Sequence, residues 1–291
     1  MRVSRGLAPR QPVTNWPILE PAMNKLVRDL MHPGLLTCSP EATLGQVAVL
    51  LTEHHVHALV VAGPEGQPLG ILSDFDLLAG EWLSGEAGGL SAMRRLTAGE
   101  LMSSPIDSVE ADSPLEAAAR ILVEKDINRL LVTDKGAAAG IISTSDFVAS
   151  IAGGEKPRRE TVADVMSDAI LVCRDKTPLP SAARSMTQAG WRSVLVVDSR
   201  GRPEGVVSGQ DLLPYVKDGI DPGLTVRDLM HPVLTIDIHA PLREAADLMI
   251  QKHHHRLVVV DRADPESFPL GILSSFDIVA EMARPGSIWQ K

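Results

Sequence analysis

A seven-residue pattern (glycine, two apolar residues, serine, two variable positions, aspartate) occurs four times in this chain of 291 residues. The copies run Gly70 to Asp76, Gly140 to Asp146, Gly205 to Asp211 and Gly271 to Asp277. A second landmark keeps step with them: Leu30-Met31, Leu101-Met102, Val165-Met166 and Leu229-Met230. The repeat length, 65 to 70 residues between successive aspartates, exceeds the roughly 20–50 residues of solenoid and propeller repeats, so each copy is a small supersecondary unit. Counting 16 positions on from Leu44, Leu115, Leu179 and Leu242 reaches Val60, Leu131, Leu195 and Val258, all within β-like runs and with no gap needed. Four similar clefts, rather than one active site, are what such a repeat builds.

Local patterning defines the unit. Leu44 to about His54 carries apolar residues close to the i, i+3, i+4, i+7 spacing of an amphipathic helix, and Leu242 to Ile250 shows it more clearly. A short apolar run, Ala58 to Ala62, a Gly/Pro-rich turn and a second run, Leu69 to Leu72, make a hairpin signature. Ser73 opens a further helix through Leu77 and Leu78, and an extended segment near Leu35-Leu36-Thr37 precedes the whole. The predicted unit is β-α-β-β-α, too small to cover its own sheet, so the copies are expected to associate as two pairs.

The element order, the Leu-Met opening, the hairpin and the closing Gly-apolar-apolar-Ser-x-x-Asp resemble the cystathionine-β-synthase (CBS) domain. Four such domains resemble the gamma subunit of AMP-activated protein kinase and free-standing prokaryotic CBS proteins. The boundaries read as repeats at 25–85, 97–153, 160–218 and 225–285, after an N-terminal tail at 1–24. The resemblance implies an α/β (α+β) fold of two paired modules in a disc. It also implies clefts that bind adenosine-containing effectors such as AMP, ADP, ATP, S-adenosylmethionine or a dinucleotide, with no cofactor required.

The remaining composition narrows the class. A chain 44% hydrophobic and 22% charged has material for proper cores. No apolar stretch approaches the roughly 20 residues of a membrane helix, and the N-terminus lacks the apolar core of a signal peptide, so a cytoplasmic protein without a membrane partner is expected. A net charge of −9 and 3% aromatic residues disfavour nucleic acid as a main partner. Cys38 and Cys173 fall at the same place in repeats one and three, where Val109 and Ile236 stand in the others, so the position calls for a small buried hydrophobe rather than a disulfide. Trp16 and Trp289 lie in the tails, outside the repeats.

Three sets of residues are candidates for ligand contact. The first is Ser73, Ser143, Ser208 and Ser274 with Asp76, Asp146, Asp211 and Asp277. A helix-capping box accounts for such a pair, although those boxes favour Glu or Gln. The alternative is a short carboxylate accepting both hydroxyls of a ribose diol, with the serine and the helix N-terminus facing sugar or phosphate. The second set precedes each hairpin: His57-Ala58, Asn128-Arg129, Arg192-Ser193 and His255-Arg256. The resemblance implies a His-Arg pair here, facing phosphates near the disc centre. The fourth repeat keeps both, the first keeps His57, the second keeps Arg129, and the third has its arginine displaced by one. The third set, which the resemblance implies as a ligand contact although hydroxyls on a half-buried strand also serve packing alone, is the opening-strand hydroxyls Thr37, Ser108 and Thr235, where the third repeat has Val172. The third repeat is therefore the expected empty site.

No Walker loop, nucleophile elbow or catalytic carboxylate pair is present, which argues against an enzyme. The histidine runs 54–57 and 253–255 raise a metal alternative, but no Cys-x-x-Cys or His-Glu-x-x-His completes a ligand set. The favoured reading is an energy-sensing or related regulatory module that signals to an unknown protein target, with homodimerisation compatible. The alternative is a ligand-free scaffold or oligomerisation protein.

Overall fold

Each predicted unit forms, and the units exchange their openings in pairs. The computed structural model describes residues 25–77, 96–152, 161–218, 223–264 and 268–284. The expectations for the 1–24 tail, Leu78, Trp16 and Trp289 fall outside those residues.

Four helices begin at the leucine landmarks: Leu44–Glu53, Leu115–Glu124, Leu179–Ala189 and Leu242–Lys252. Each buries one stripe at i, i+3, i+4 and i+7: Leu44, Val47, Ala48, Leu51; Leu115, Ala118, Ala119, Leu122; Leu179, Ala182, Ala183, Met186; Leu242, Ala245, Ala246, Met249. The narrow Ala pair in the middle of the stripe lets three of these helices lie close to their sheets. All four end by passing through a left-handed residue at the same place, His55, Asp126, Gly190 or His253, with φ between 51° and 71°. Only one of these is the glycine that conformation favours. Two of the histidines in the candidate metal runs therefore sit at chain reversals.

The 16-residue count from each helix start lands on the hairpin residue that the opening strand pairs with. The opening strand runs parallel to the first hairpin strand, pairing Thr37 with Val60, Ser108 with Leu131, Val172 with Leu195 and Thr235 with Val258. The hairpin returns antiparallel, for example Leu59 opposite Leu72 and Leu257 opposite Leu273.

A single turn of helix before each Leu/Val-Met landmark, at Val27–Leu30, Ala98–Leu101, Val162–Asp164 and Val226–Asp228, was not foreseen from the sequence. The segment after it crosses to the partner repeat. His32–Pro33 pairs antiparallel with Gly140–Ile141 as a fourth strand of the second repeat's sheet. Ser103 bridges Ile71, Ser167 bridges Ile272 and His231 bridges Val206. Repeats one and two thus exchange openings, as do three and four. The same crossing accounts for the glycine of the repeated motif: a Cβ there would strike the His32 carbonyl at Gly140, the Ser167 carbonyl at Gly271 and the Met102 side chain at Gly70. The two sequence landmarks are contact partners.

Helices join the pairs. Leu44–Glu53 packs against Gly209–Asp218, uniting repeats one and three, and Leu115–Glu124 packs against Ser275–Ala283, uniting two and four. The cores differ. One continuous apolar cluster runs through repeats two and four, including Leu122, Phe147, Leu242 and Ile278. Repeats one and three keep separate clusters among the described residues, with Leu213 of repeat three reaching the first.

Candidate ligand clefts and a shared cationic centre

The repeated Ser-x-x-Asp lies where a hairpin strand turns into a helix N-terminus. In every copy the aspartate Oδ2 accepts from the serine backbone N–H at 2.7–2.8 Å and from its hydroxyl at 2.6–2.8 Å. The capping geometry is realised four times over, with the hydroxyls of Ser73, Ser143, Ser208 and Ser274 donating to the carboxylate, and Ser208 also lines the central cavity. A short Asp side chain reaches back to its cap with one oxygen and keeps Oδ1 for something else. Asp277 shows the consequence: burial pushes its carboxyl pKa up, against the hydrogen bonds from Ser274 and the charge of Arg256.

That second oxygen has two fates. His32 Nε2 lies 2.8 Å from Asp146 Oδ1, and His231 Nε2 lies 2.8 Å from Asp211 Oδ1. Among the described residues nothing bonds Oδ1 of Asp76 or Asp277. The opening-strand hydroxyls Thr37 and Ser108 are exposed and Thr235 is partly buried, and all three stand outside the central cavity.

The pre-hairpin pairs of all four repeats converge on that cavity. It holds about 60 Å³ and is walled by His57, Asp74, Phe75, Arg129, Arg192, His255 and Arg256, with Asn128, Thr144, Ser145, Gln210 and Ser275. Three guanidinium groups and two imidazoles thus face one carboxylate. Asp74 Oδ2 bonds His57 Nδ1 at 2.8 Å, and its Oδ1 lies 3.5 Å from Arg192. Burial alone would raise the Asp74 carboxyl, but the hydrogen bond and charge of His57, with Arg129 and Arg192 beside it, hold it below the usual carboxylate range. Arg192 also lies over the Phe75 ring, 5.1 Å from its centroid. His57 meets His255 edge to face at 4.8 Å, and His255 Nδ1 lies 3.1 Å from Ser145 Oγ. Desolvation, reinforced by His57, Arg129 and Arg256, lowers the His255 pKa to about 3, so this ring is neutral near pH 7.

Arg129 and Arg256 stand apart. Neither guanidinium makes a hydrogen bond or ion pair among the described residues. Burial depresses the pKa of both, that of Arg256 to about 10. A cavity this small admits a few waters or a small anion, not a nucleoside.

Asp277 opens instead onto a groove of about 490 Å³ along helix Ser275–Ala283, walled by Arg120, Val123, Asp164, Val165, Glu281 and Arg284 among others. That size falls within the range of small-molecule sites.

The cavity wall brings together His57, Arg129, His255 and Arg256, which the sequence singled out, and Asp74, which it did not. The position after the serine reads Asp74, Thr144, Gly209 and Ser275, which looks arbitrary in one dimension; its small polar character was the available signal. Cys38 and Cys173 are unbridged and partly buried, and burial raises both thiols. Among the described residues no group of three His, Cys, Asp or Glu side chains could hold a metal, and no helix is long and apolar enough to cross a membrane.

Comparison with known proteins finds the same four-fold recurrence. The CBS domain family model matches residues 27–81, 98–153, 162–218 and 226–284. An uncharacterised protein of Methanopyrus kandleri, MK0525, is 28% identical over 123 residues, 42% of this chain and 60% of its own length. An uncharacterised protein of Methanocaldococcus jannaschii, MJ1404, is 28% identical over 191 residues, 64% of this chain and 43% of its own. The chain therefore spans less than two thirds of either relative. The crystal structure of MJ1225 from Methanocaldococcus jannaschii superposes with a TM-score of 0.76 at 17% identity, covering 89% of this chain and all of that one.

Proposed function

Because the chain belongs to the CBS domain family through all four of its repeats, we propose that it is a regulatory protein that binds a phosphate-bearing adenosine ligand and signals occupancy by shifting one pair of repeats against the other. The carrying observation is the pair of arginines, Arg129 and Arg256, which enter a cavity shared by all four repeats with carboxylates near them but no hydrogen bond or ion pair among the described residues. Charged side chains withdrawn from water require a counter-charge, and guanidinium groups fork onto phosphate oxygens. That chemistry favours AMP, ADP or ATP over S-adenosylmethionine, whose sulfonium is itself a cation. The nucleoside would sit outside the centre, with the diol on a free Asp Oδ1 at a cleft such as the groove beside Asp277. A ligand touching both repeats of a pair and the common centre would couple to a target by about 1–3 kcal/mol. The sites hold ligand without activating it, so the protein works as a sensor rather than a catalyst.

The test is thermal unfolding of the full chain with AMP, ADP, ATP, S-adenosylmethionine, NAD and cyclic di-AMP at millimolar concentration, after removal of co-purified ligand. A ligand at 100 times its Kd stabilises by about 2.7 kcal/mol, and the gain should shrink in Asp277→Ala. No stabilisation by any of them would favour the scaffold reading.

A further inference from the structure

The four aspartates are alike in sequence and in their capping bonds, and they part company at Oδ1. What decides their fate is the residue that follows Met in the exchanged opening of the partner repeat. That residue is His32 over repeat two, Ser103 over repeat one, Ser167 over repeat four and His231 over repeat three. All four occupy the same register, each opposite the residue after the motif glycine: Ile141, Ile71, Ile272 and Val206. From that point an imidazole reaches the neighbouring aspartate at 2.8 Å, whereas a serine is too short to do so.

We infer that His32 and His231 sort the clefts into two classes, holding Asp146 and Asp211 back from a ribose diol and leaving Asp76 and Asp277 as the two ribose-accepting carboxylates. The inference rests on the adenosine-ligand reading above and goes further, by assigning specificity to residues outside the repeated motif. A diol needs a carboxylate with an oxygen to spare. Oδ2 is committed to the serine in every copy, and in repeats two and three the imidazole takes Oδ1 as well. His32 and His231 lie over Asp146 and Asp211 while staying 55% and 61% exposed themselves. The imidazoles act as lids at the cleft mouth. Hydrogen bonds to charged groups are worth about 1.5–3 kcal/mol, so a ligand that breaks one binds roughly 10–100-fold more weakly. The pattern is symmetric by construction, since the outer repeats, one and four, carry the histidine and the inner ones receive it.

The test is isothermal titration of the full chain with AMP, using ATP if AMP does not bind. The wild type should show two tight equivalents. His32→Ser with His231→Ser should show four, because serine already occupies that position natively in repeats two and three. The reciprocal Ser103→His with Ser167→His should weaken the two tight sites by roughly 10–100-fold, an effect that loss of structure would not mimic provided the melting temperature is kept. Four equal sites in the wild type, or an unchanged count in both double variants, overturns the sorting while the ligand reading stands. If no variant binds any adenosine compound, both fall.

Discussion

The two halves of the central cavity are built on the same backbone and carry opposite solutions to the same electrostatic problem. On the side of repeats one and three the cations stand first in the pre-hairpin pair, His57 and Arg192, followed by Ala58 and Ser193. Asp74 is there to neutralise them. On the side of repeats two and four the cations stand second, Arg129 and Arg256, and the positions equivalent to Asp74 are Thr144 and Ser275, which bond each other at 3.2 Å. One half is internally paired, while in the other neither guanidinium makes an ion pair among the described residues. That second half is also the half with the continuous core through Leu122, Phe147 and Ile278. The comparison teaches that the half without ion pairs is backed by one continuous apolar core, and that the self-neutralised half sits where the described cores are separate.

The largest effect should come from breaking the paired half. Asp74→Ala strands His57 and Arg192 in a cavity already rich in cations, and losing one partner of a buried pair costs about 3–5 kcal/mol. Denaturant unfolding should show that loss. Arg129→Ala should not show it, because no carboxylate is left unpaired. Equal losses in the two variants would erase the contrast between the halves.

A smaller effect follows from His255. Its folded pKa, about 3, lies below its unfolded value, so acid protonates the unfolded chain first. The contribution is complete above about pH 6.5 and declines as pH falls toward 3, by up to about 1.4 kcal/mol per pH unit. Asp74 has its folded pKa depressed, and its contribution is lost only at pH below about 3.9 as the pH passes through the folded value. Between pH 6.5 and 4 the raised carboxyl of Asp277 acts with the opposite sign, so His255 is read as the difference between wild type and His255→Gln, whose unfolding free energy should fall less with acid. A slope that survives the substitution would move the titrating group elsewhere.

The smallest effect belongs to the strand position where repeats one and three carry Cys38 and Cys173 and repeats two and four carry Val109 and Ile236, the latter pair buried at 6% and 0% exposure. Cys38→Val with Cys173→Val should shift stability by less than about 1.5 kcal/mol, since the thiols act as small hydrophobes. A larger loss would show that the halves differ in chemistry at this strand as well as at the centre.

Much of the architecture could be read before any coordinates. The helices and the hairpins followed from periodicity, because a helix stripe and a hairpin are local relations, whereas the parallel register of the opening strand emerged only in the structure. The 16-residue count from Leu44 fell on Val60, the cross-strand partner of Thr37. Of the site, the convergent cations were legible through their alignment with one another. The acidic partner was not, because Asp74 has no counterpart in the other repeats.

What the sequence by itself determined is the unit: its elements, its four-fold recurrence, its pairing, and the carboxylate at each helix start. What only the tertiary structure decided is who meets whom. The opening of one repeat crosses to its partner, so His32 governs an aspartate 114 residues away and Gly140 makes room for a carbonyl it never neighbours in the chain. Repetition makes the four copies look interchangeable because each is read along its own backbone. Their difference resides in contacts contributed by another copy, set by packing between units and absent from the pattern within any one of them.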